Sequence, residues 1–183
     1  FYNATLNKCS KDSLVFSLAS SIEAYAHEHL KVYDQYVDKY LFASQYMLNL
    51  TKRFWKDKSV EYGVLRNPFK DEEQQANASP GKYFLYFGRL TEEKGVDLLI
   101  DAARLAGVQV KIVGEGPEEQ KLRAQASGLS NIEFLGPLWG RELTPVLNNS
   151  LAIVVPSTWH ENFPYVIFQS FSAGKPVIGS NRG

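Results

Sequence analysis

The feature that most constrains the fold is a regular alternation of apolar and amphipathic segments from Tyr83 onwards. Unbroken apolar runs are typical of strands buried on both faces of a parallel sheet, and the segments between them have helical periodicity. The predicted strands are 83–87, 108–113, 132–135, 151–155 and 176–179, and the predicted helices are 95–106, 117–127, 140–149 and 164–173. This alternation predicts an α/β fold with a parallel, Rossmann-like sheet and helices on both faces.

A second, shorter α/β pattern precedes this one. The predicted elements are a helix over 13–33, a strand over 37–43, a helix from the N-cap Ser44 to about Trp55 and a strand over 61–65. Two strands and two helices are too few to enclose a core, so we expect residues 1–69 to be the closing portion of an N-terminal domain. Residues 70–81 are polar and end in Pro-Gly, which is typical of a linker. Residues 82–183 then form a second domain, which we expect to be incomplete because the sequence stops just after a strand.

Charge and cysteine content narrow the classes of function. The net charge is zero, and residues 71–183 carry ten Lys and Arg against thirteen Asp and Glu. A domain with this balance has no basic stripe for nucleic acid, so any anion site must be built locally from a few cations and backbone N–H groups. No apolar run approaches the roughly 20 residues that span a bilayer. The single cysteine, Cys9, cannot form an internal disulfide and favours a reducing, cytoplasmic compartment.

The loop after the first strand of the second domain carries two cations. Gly88 ends the strand, and Arg89 and Lys94 follow it. In open α/β sheets ligands bind at the carboxyl ends of the strands, where an arginine fork and a lysine charge suit two phosphates. The alternative is a pair of solvated surface cations beside Glu92 and Glu93. The position at the binding edge favours an anion site.

The next loop reads Gly114-Glu115-Gly116-Pro117. Two glycines allow a backbone to approach a ligand closely, and proline suits a first helical turn. The dinucleotide fingerprint G-x-G-x-x-G is absent because Glu119 stands where its third glycine would be. A plain tight turn is an equally good interpretation of this loop.

The loop after the fourth strand reads His160-Glu161-Asn162-Phe163-Pro164. Glu161 is a carboxylate that could bind a substrate hydroxyl, and the N–H groups of Asn162 and Phe163 could meet an anion near a helix start. The alternative for Glu161 is a charge that complements the helix dipole, and for His160 a surface position. Since position 164 is proline, this is not the metal-binding pattern H-E-x-x-H.

Several other catalytic signatures are missing from the sequence. It contains no Asp-x-Asp, so a carboxylate-held Mg²⁺ or Mn²⁺ has no evident site, and no metal ligand or cofactor is predicted. It also lacks G-x-x-x-x-G-K-[ST] and G-x-S-x-G, which excludes P-loop and α/β-hydrolase chemistry.

Together these motifs resemble those of the retaining glycosyltransferases of family 4, which have the two-domain GT-B architecture. The resemblance rests on G-R-L-T-E-E-K-G (88–95), G-E-G-P (114–117), F-L-G (134–136) and P-S-T-W-H-E-N-F-P-Y-V-I-F-Q-S-F-S-A-G-K-P-V-I-G-S (156–180), with a weaker likeness over 9–68. It implies metal-independent transfer of a sugar, with retention, from a UDP-, GDP- or ADP-sugar to a hydroxyl of a glycan or lipid-linked acceptor. It also implies a donor-binding domain over 82–183, an acceptor domain before it, and work in the cytoplasm or at the membrane surface.

The resemblance further implies a role for individual residues. Arg89, Lys94 and Glu161 would be catalytic, with the two cations on the donor diphosphate and the glutamate on the hydroxyls of the donor sugar. The other implied donor contacts are the backbone at Gly88, Gly114, Gly116, Asn162, Phe163 and Pro164, with Leu135 and Gly136 near the base. The family's second glutamate, which bonds the ribose hydroxyls, is replaced here by Gln169, an amide that loses the charge-assisted bond.

Two other hypotheses stay open. One is a different GT-B enzyme such as a nucleotide-sugar epimerase, and the other is a non-catalytic nucleotide-sugar-binding or scaffold domain, which Gln169 favours. We also expect residues 1–183 alone to be inactive in transfer, because most of an acceptor domain lies outside this sequence.

Overall fold

The computed structural model describes residues 2–11, 13–55, 60–69, 76, 77, 79 and 81–182, without the side chains at positions 2 and 34. The chain divides into two compact units, Phe1–Arg66 and Asn67–Gly183. The division precedes the predicted linker, of which residues 70–75, 78 and 80 lie outside the described part. Asn77 donates its backbone N–H to the carbonyl oxygen of Ala173 at 3.0 Å. The described residues of that segment therefore belong to the second unit, and the linker itself stays a prediction.

The first unit combines short helices with a small parallel sheet. Its described elements are α1 (Tyr2–Leu6), α2 (Leu14–His29), α3 (Val32–Tyr36), β1 (Lys39–Phe42), α4 (Gln45–Phe54) and β2 (Glu61–Val64), with β1 and β2 paired in parallel. Ser44 caps α4 as predicted, since its hydroxyl accepts a hydrogen bond from the Met47 N–H at 3.2 Å. The prediction of one helix over 13–33 is wrong at its end, because Lys31 is left-handed (φ 51°). The apolar spacing continues across this break and so conceals it.

The second unit has the predicted alternation of strands and helices. Its elements are β3 (Tyr83–Phe87), a 3₁₀ turn (Glu92–Lys94), α5 (Val96–Ala106), β4 (Val110–Val113), α6 (Glu119–Gln125), β5 (Ile132–Gly136), α7 (Gly140–Asn148), β6 (Ser150–Val155), α8 (Tyr165–Ser172) and β7 (Val177–Gly179). The strand order is β5-β4-β3-β6-β7, and every neighbouring pair is parallel. The α/β class and the parallel sheet are therefore confirmed.

The central strand β3 explains why its sequence is an unbroken apolar run. Leu85 and Phe87 pack into a cluster on one face of the sheet, with Leu147 and Ile153. Tyr86, between them, points to the other face and packs with the residues of α5 and β4. Since successive side chains of a strand point to opposite faces, a strand covered by helices on both sides needs an apolar residue at every position.

The topology also locates a crevice. The chain continues from β3 towards β4 and β5 on one side, and later returns to add β6 and β7 on the other. The order of the strands therefore reverses between β3 and β6, and in open α/β sheets ligands bind at the carboxyl edge of the sheet at such a point. Within the described part of the chain, no helix is both long and apolar enough to cross a bilayer.

Candidate functional site

The loops after β3 and β6 are joined by backbone contacts. The Thr158 N–H donates to the carbonyl oxygen of Glu93 at 3.0 Å. Gly95, two residues after Glu93, has a left-handed backbone conformation (φ 63°), and a Cβ there would lie 2.3 Å from the carbonyl oxygen of Pro156. Only glycine permits both this conformation and this approach. The close contact brings Lys94 against the segment that carries Glu161.

Lys94 and Glu161 form an ion pair across the crevice. Lys94 Nζ lies 2.6 Å from Glu161 Oε1, and the two side chains are only 25% and 21% exposed. The hydroxyl of Ser157 donates to the same oxygen at 2.6 Å. The glutamate is thus held by a cation from the β3 loop and by a serine from its own loop.

This environment keeps the Glu161 carboxylate charged. Burial raises the pKa of Glu161, but the hydrogen bonds from Lys94 and Ser157 outweigh burial and bring that pKa below 4.5. Burial, together with the charges of Glu161 and Glu93, raises the pKa of Tyr86, so its hydroxyl stays protonated. That hydroxyl donates to the carbonyl oxygen of Arg89 at 2.6 Å, which fixes the start of the β3 loop.

Arg89 is placed differently from Lys94. Its side chain is 75% exposed, and its nearest carboxylate oxygen is Glu93 Oε1, at 3.7 Å. That glutamate is held by the Thr91 hydroxyl at 2.7 Å, a hydrogen bond that lowers the pKa of Glu93. The alternative of a solvated cation beside Glu93 thus describes Arg89 as it stands, although the residue also lines the two cavities described next.

The first cavity, which we call the polar pocket, has a volume of about 210 Å³. It lies between the carboxyl ends of β3 and β6 and the start of α8. Its lining consists of Tyr86, Phe87, Gly88, Arg89, Lys94, Val154, Val155, Ser157, Glu161, Phe163, Pro164, Tyr165 and Val166. Both cations and the glutamate predicted to act together therefore face one space.

The second cavity, which we call the apolar pocket, has a volume of about 550 Å³. Its lining consists of Phe87, Gly88, Arg89, Val113, Gly114, Glu115, Pro137, Leu138, Trp139, Gly140, Leu143, Val166 and Gln169. The residues common to both cavities are Phe87, Gly88, Arg89 and Val166. The polar and apolar pockets therefore adjoin along the end of β3, with Arg89 at their shared edge.

Close backbone packing explains the two glycines in the loop after β4. Gly114 has φ 137°, and a Cβ on it would lie 1.8 Å from the carbonyl oxygen of Gly88. Its N–H donates to the carbonyl oxygen of Gly136 at 2.9 Å. A Cβ on Gly116 would lie 2.3 Å from the carbonyl oxygen of Leu90. These glycines let the loops after β3, β4 and β5 pack together, and only Gly114 of this loop's pair lines either pocket.

Four of the predicted binding residues line neither pocket: Gly116, Leu135, Gly136 and Asn162. Leu135 lies within β5 and packs against the core, so the lining comes from the next residues, Pro137, Leu138 and Trp139. Asn162 is exposed and precedes α8, which begins at Tyr165, one residue later than predicted. Gln169, in contrast, does line the apolar pocket.

Sequence reasoning missed the apolar residues of the site and one polar residue. Leu138 and Trp139 follow F-L-G after one residue, Pro137, and a tryptophan just after a strand end was the available signal. Leu143 has the spacing of a helix residue packed in the core, where it also lies. Ser157 stands four positions before Glu161, and no spacing rule links these two residue types. Within the described residues, no group of three or more His, Cys, Asp or Glu side chains could hold a metal ion.

Comparison with known proteins places this geometry in context. The family described as glycosyl transferases group 1 matches residues 69–183. A phosphatidyl-myo-inositol mannosyltransferase of Mycobacterium leprae is 37% identical over 110 residues, which cover 55% of this chain and 29% of that protein. A GDP-mannose-dependent alpha-mannosyltransferase of Mycobacterium tuberculosis is 34% identical over 98 residues, which cover 54% and 25%. The matches thus span less than a third of the length of these two relatives.

A solved structure supports the same assignment at the level of the fold. HepE of Anabaena, determined in complex with UDP, superposes with a TM-score of 0.70 and 20% sequence identity, over 84% of this chain and 47% of that one. Structural neighbours of this kind confirm the predicted GT-B type of fold. Because the family match covers more than half of the sequence, this chain belongs to the glycosyl transferases group 1 family.

Proposed function

We propose that residues 67–183 form the donor site of a retaining glycosyltransferase that transfers a sugar from a nucleotide-diphosphate sugar to an acceptor hydroxyl without a metal ion. The observation that carries the proposal is the Lys94–Glu161 contact of 2.6 Å, made in the same pocket that Arg89 lines. A carboxylate for sugar hydroxyls and two cations for a diphosphate then lie side by side. An adjoining apolar pocket is large enough for a nucleoside.

The two cations supply the electrostatic part of the reaction. When the sugar–phosphate bond breaks, negative charge develops on the departing diphosphate. A cation that is fixed before the reaction, as Lys94 is, stabilises that charge without reorganising, which is commonly the largest single contribution to catalysis. Lys94 is held in place by Glu161, and its ammonium has three N–H donors, so it can contact a phosphate oxygen and keep the glutamate. Arg89 at the shared edge offers a bidentate fork to the other phosphate.

The apolar pocket suits the nucleoside. Trp139 offers an aromatic face to a base, and Leu138 and Leu143 supply apolar surface beside it. Gln169 lines the same pocket and can accept and donate a hydrogen bond with ribose hydroxyls. Because an amide carries no charge, we expect its contribution to be smaller than that of a carboxylate.

The donor and acceptor follow from the relatives only in outline. The two relatives above are named mannosyltransferases, and the solved neighbour contains UDP. UDP-, GDP- and ADP-sugars are therefore the donors to test, with a glycan or a lipid-linked glycan as acceptor. The proposed location is the cytoplasm, including its membrane surface, where such acceptors are made. Retention requires the acceptor hydroxyl to enter from the face that the diphosphate leaves.

Calorimetric titration of residues 1–183 with UDP, GDP, ADP and their sugar conjugates tests the binding part of the proposal. We expect one nucleotide diphosphate to bind clearly better than the others, with the same affinity in EDTA as in Mg²⁺. Absence of binding by all of them, or an absolute need for Mg²⁺, would contradict the proposed site. Sugar transfer is measured on the natural full-length protein, with a radiolabelled donor and a panel of glycan acceptors. Donor binding without transfer would favour the non-catalytic alternative.

A further inference from the structure

The two oxygens of the Glu161 carboxylate differ in their contacts with the protein. Lys94 Nζ and the Ser157 hydroxyl both donate to Oε1, each at 2.6 Å. Within the described part of the chain, no donor contacts Oε2. One carboxylate oxygen therefore holds the side chain in the protein, and the other remains for a ligand in the polar pocket, which both Glu161 and Ser157 line.

Ser157 is held in place by burial and by hydrogen bonds of its own backbone and of the next residue. It is only 2% exposed, and its carbonyl oxygen accepts a hydrogen bond from the Ser180 hydroxyl, which ties it to the segment after β7. The next residue, Thr158, donates its N–H to Glu93 in the 3₁₀ turn. A hydroxyl has a single proton to donate, and Ser157 gives that proton to Glu161. The geometry of this buried serine thus determines where the carboxylate plane lies.

We propose that Ser157 is a positioning residue that fixes the plane of the Glu161 carboxylate so that Oε2 faces the donor sugar. A terminal carboxylate torsion is broad, and one donor from a flexible lysine leaves the group free to rotate. A second donor from a buried, backbone-anchored residue removes that freedom. The inference rests on the proposed function, and it adds that Ser157 strengthens binding of the sugar part of the donor and leaves binding of the nucleotide part unchanged.

The test compares a nucleotide sugar with its own nucleotide. Residues 1–183 and the variant Ser157→Ala are titrated calorimetrically with GDP-mannose and GDP, with UDP-glucose and UDP, and with ADP-glucose and ADP. We expect Ser157→Ala to weaken binding of the better nucleotide sugar about tenfold, as for loss of support to a hydrogen-bonded charged group. Binding of the matching nucleoside diphosphate should be unchanged. Ser157→Thr retains the hydroxyl and should restore the affinity for the sugar conjugate.

The matched control is Ser150→Ala. Ser150 is fully buried at the amino end of β6, the strand that precedes Ser157, and its hydroxyl donates to the carbonyl oxygen of Leu147 at the opposite edge of the sheet. This variant makes the same deletion in a comparable environment and should leave both affinities unchanged. If Ser157→Ala does not fold, as judged by circular dichroism, Ser157→Cys conserves the side-chain volume with a weak donor and undergoes the same titrations.

The outcomes separate this inference from the proposed function. If the parent chain binds none of GDP, UDP and ADP, the donor site itself is refuted. If the parent binds them and Ser157→Ala loses sugar conjugate and nucleotide by the same factor, Ser157 has only a structural role. Unchanged affinity of Ser157→Ala for the sugar conjugate would equally overturn the positioning role. A selective loss that Ser157→Thr restores would support it.

Discussion

The polar and apolar pockets adjoin and share lining residues, yet they differ in how their polar side chains are held. The polar pocket, of about 210 Å³, is defined by individual hydrogen bonds between the loops after β3 and β6, and its cation Lys94 is three-quarters buried. The apolar pocket, of about 550 Å³, is defined by the shapes of Phe87, Leu138, Trp139 and Leu143. A hydrogen bond or ion pair is lost entirely when one partner is removed. The contribution of an apolar surface to the binding free energy decreases in proportion to the area removed.

The difference separates what each pocket contributes to ligand binding. Changes in the polar pocket should distinguish ligands that carry phosphates or a sugar from the bare nucleoside. Changes in the apolar pocket should affect every ligand that contains the base, to a similar extent. The following experiments use this contrast, in order of decreasing expected effect.

Lys94→Ala should have the largest effect. It removes a phosphate contact and also leaves the partly buried Glu161 carboxylate without its cation, facing the incoming phosphates. We expect nucleoside diphosphate affinity to fall about a hundredfold in calorimetry, with nucleoside affinity unchanged. The matched control is Lys111→Ala, which removes a lysine of similar exposure (29%) that pairs with Glu133 at 2.9 Å away from both pockets. Equal affinities of Lys94→Ala and Lys111→Ala would refute the diphosphate role.

Arg89→Ala should weaken nucleoside diphosphate binding about tenfold, less than the lysine variant, because its exposed guanidinium is not held towards the site before the ligand arrives. Nucleoside affinity should again be unchanged, although Arg89 also lines the apolar pocket. Arg104→Ala, which removes an exposed arginine that pairs with Asp101, serves as the control. A parallel loss for nucleoside and nucleoside diphosphate would assign Arg89 to the base instead of the phosphates.

Trp139→Ala should weaken nucleoside and nucleoside diphosphate binding by the same factor, about fivefold, because one aromatic contact with the base is lost in both cases. Trp159→Ala is a closely matched control, since the two tryptophans are 74% and 68% exposed and Trp159 lines neither pocket. Fluorescence quenching by the nucleoside should be lost in the first variant and retained in the second. A loss confined to the nucleoside diphosphate would contradict the base assignment.

The Glu161 ion pair in the polar pocket should make a small, pH-dependent contribution to stability. Since the pKa of Glu161 is lowered in the folded state, its ion pair stabilises that state fully above the ordinary pKa of an unfolded glutamate, and the stabilisation is lost as the pH falls through the folded-state pKa. We expect the difference in Tm between the parent and the non-titrating variant Glu161→Gln to be constant from about pH 7 to about pH 5 and to shrink at lower pH. A difference that grows on acidification would show that the carboxyl is destabilising in its ionised form.

The contrast between the pockets also explains what could be predicted from the sequence. Arg89, Lys94 and Glu161 are predictable because charged residues that follow buried strands cannot belong to the apolar core, and the topology brings the carboxyl ends of those strands together. Trp139, Leu138 and Leu143 were missed because apolar residues that follow a strand or lie on a helix resemble core residues. Leu135 is a related case, since its side chain packs against the core, and its position near the base stays a prediction.

Local backbone conformation was the other feature that the sequence pattern did not predict. The left-handed Lys31 interrupts an apolar spacing that continues across it, so periodicity alone predicted one helix where the structure has two. α8 starts at Tyr165, one residue later than predicted, and Asn162 does not line the polar pocket. The hydrogen bond from Ser157 to Glu161 depends on the path of a loop between a strand and a helix, which no local pattern determines.

The most direct test is a crystal structure of this chain with the tightest-binding nucleotide sugar. We expect the diphosphate within hydrogen-bonding distance of Arg89 and Lys94, the sugar against Glu161 and the base against Trp139. A nucleotide bound outside these two pockets, or one with its base in the polar pocket and its phosphates away from Lys94, would contradict the assignment of the polar pocket to the diphosphate and sugar and of the apolar pocket to the nucleoside.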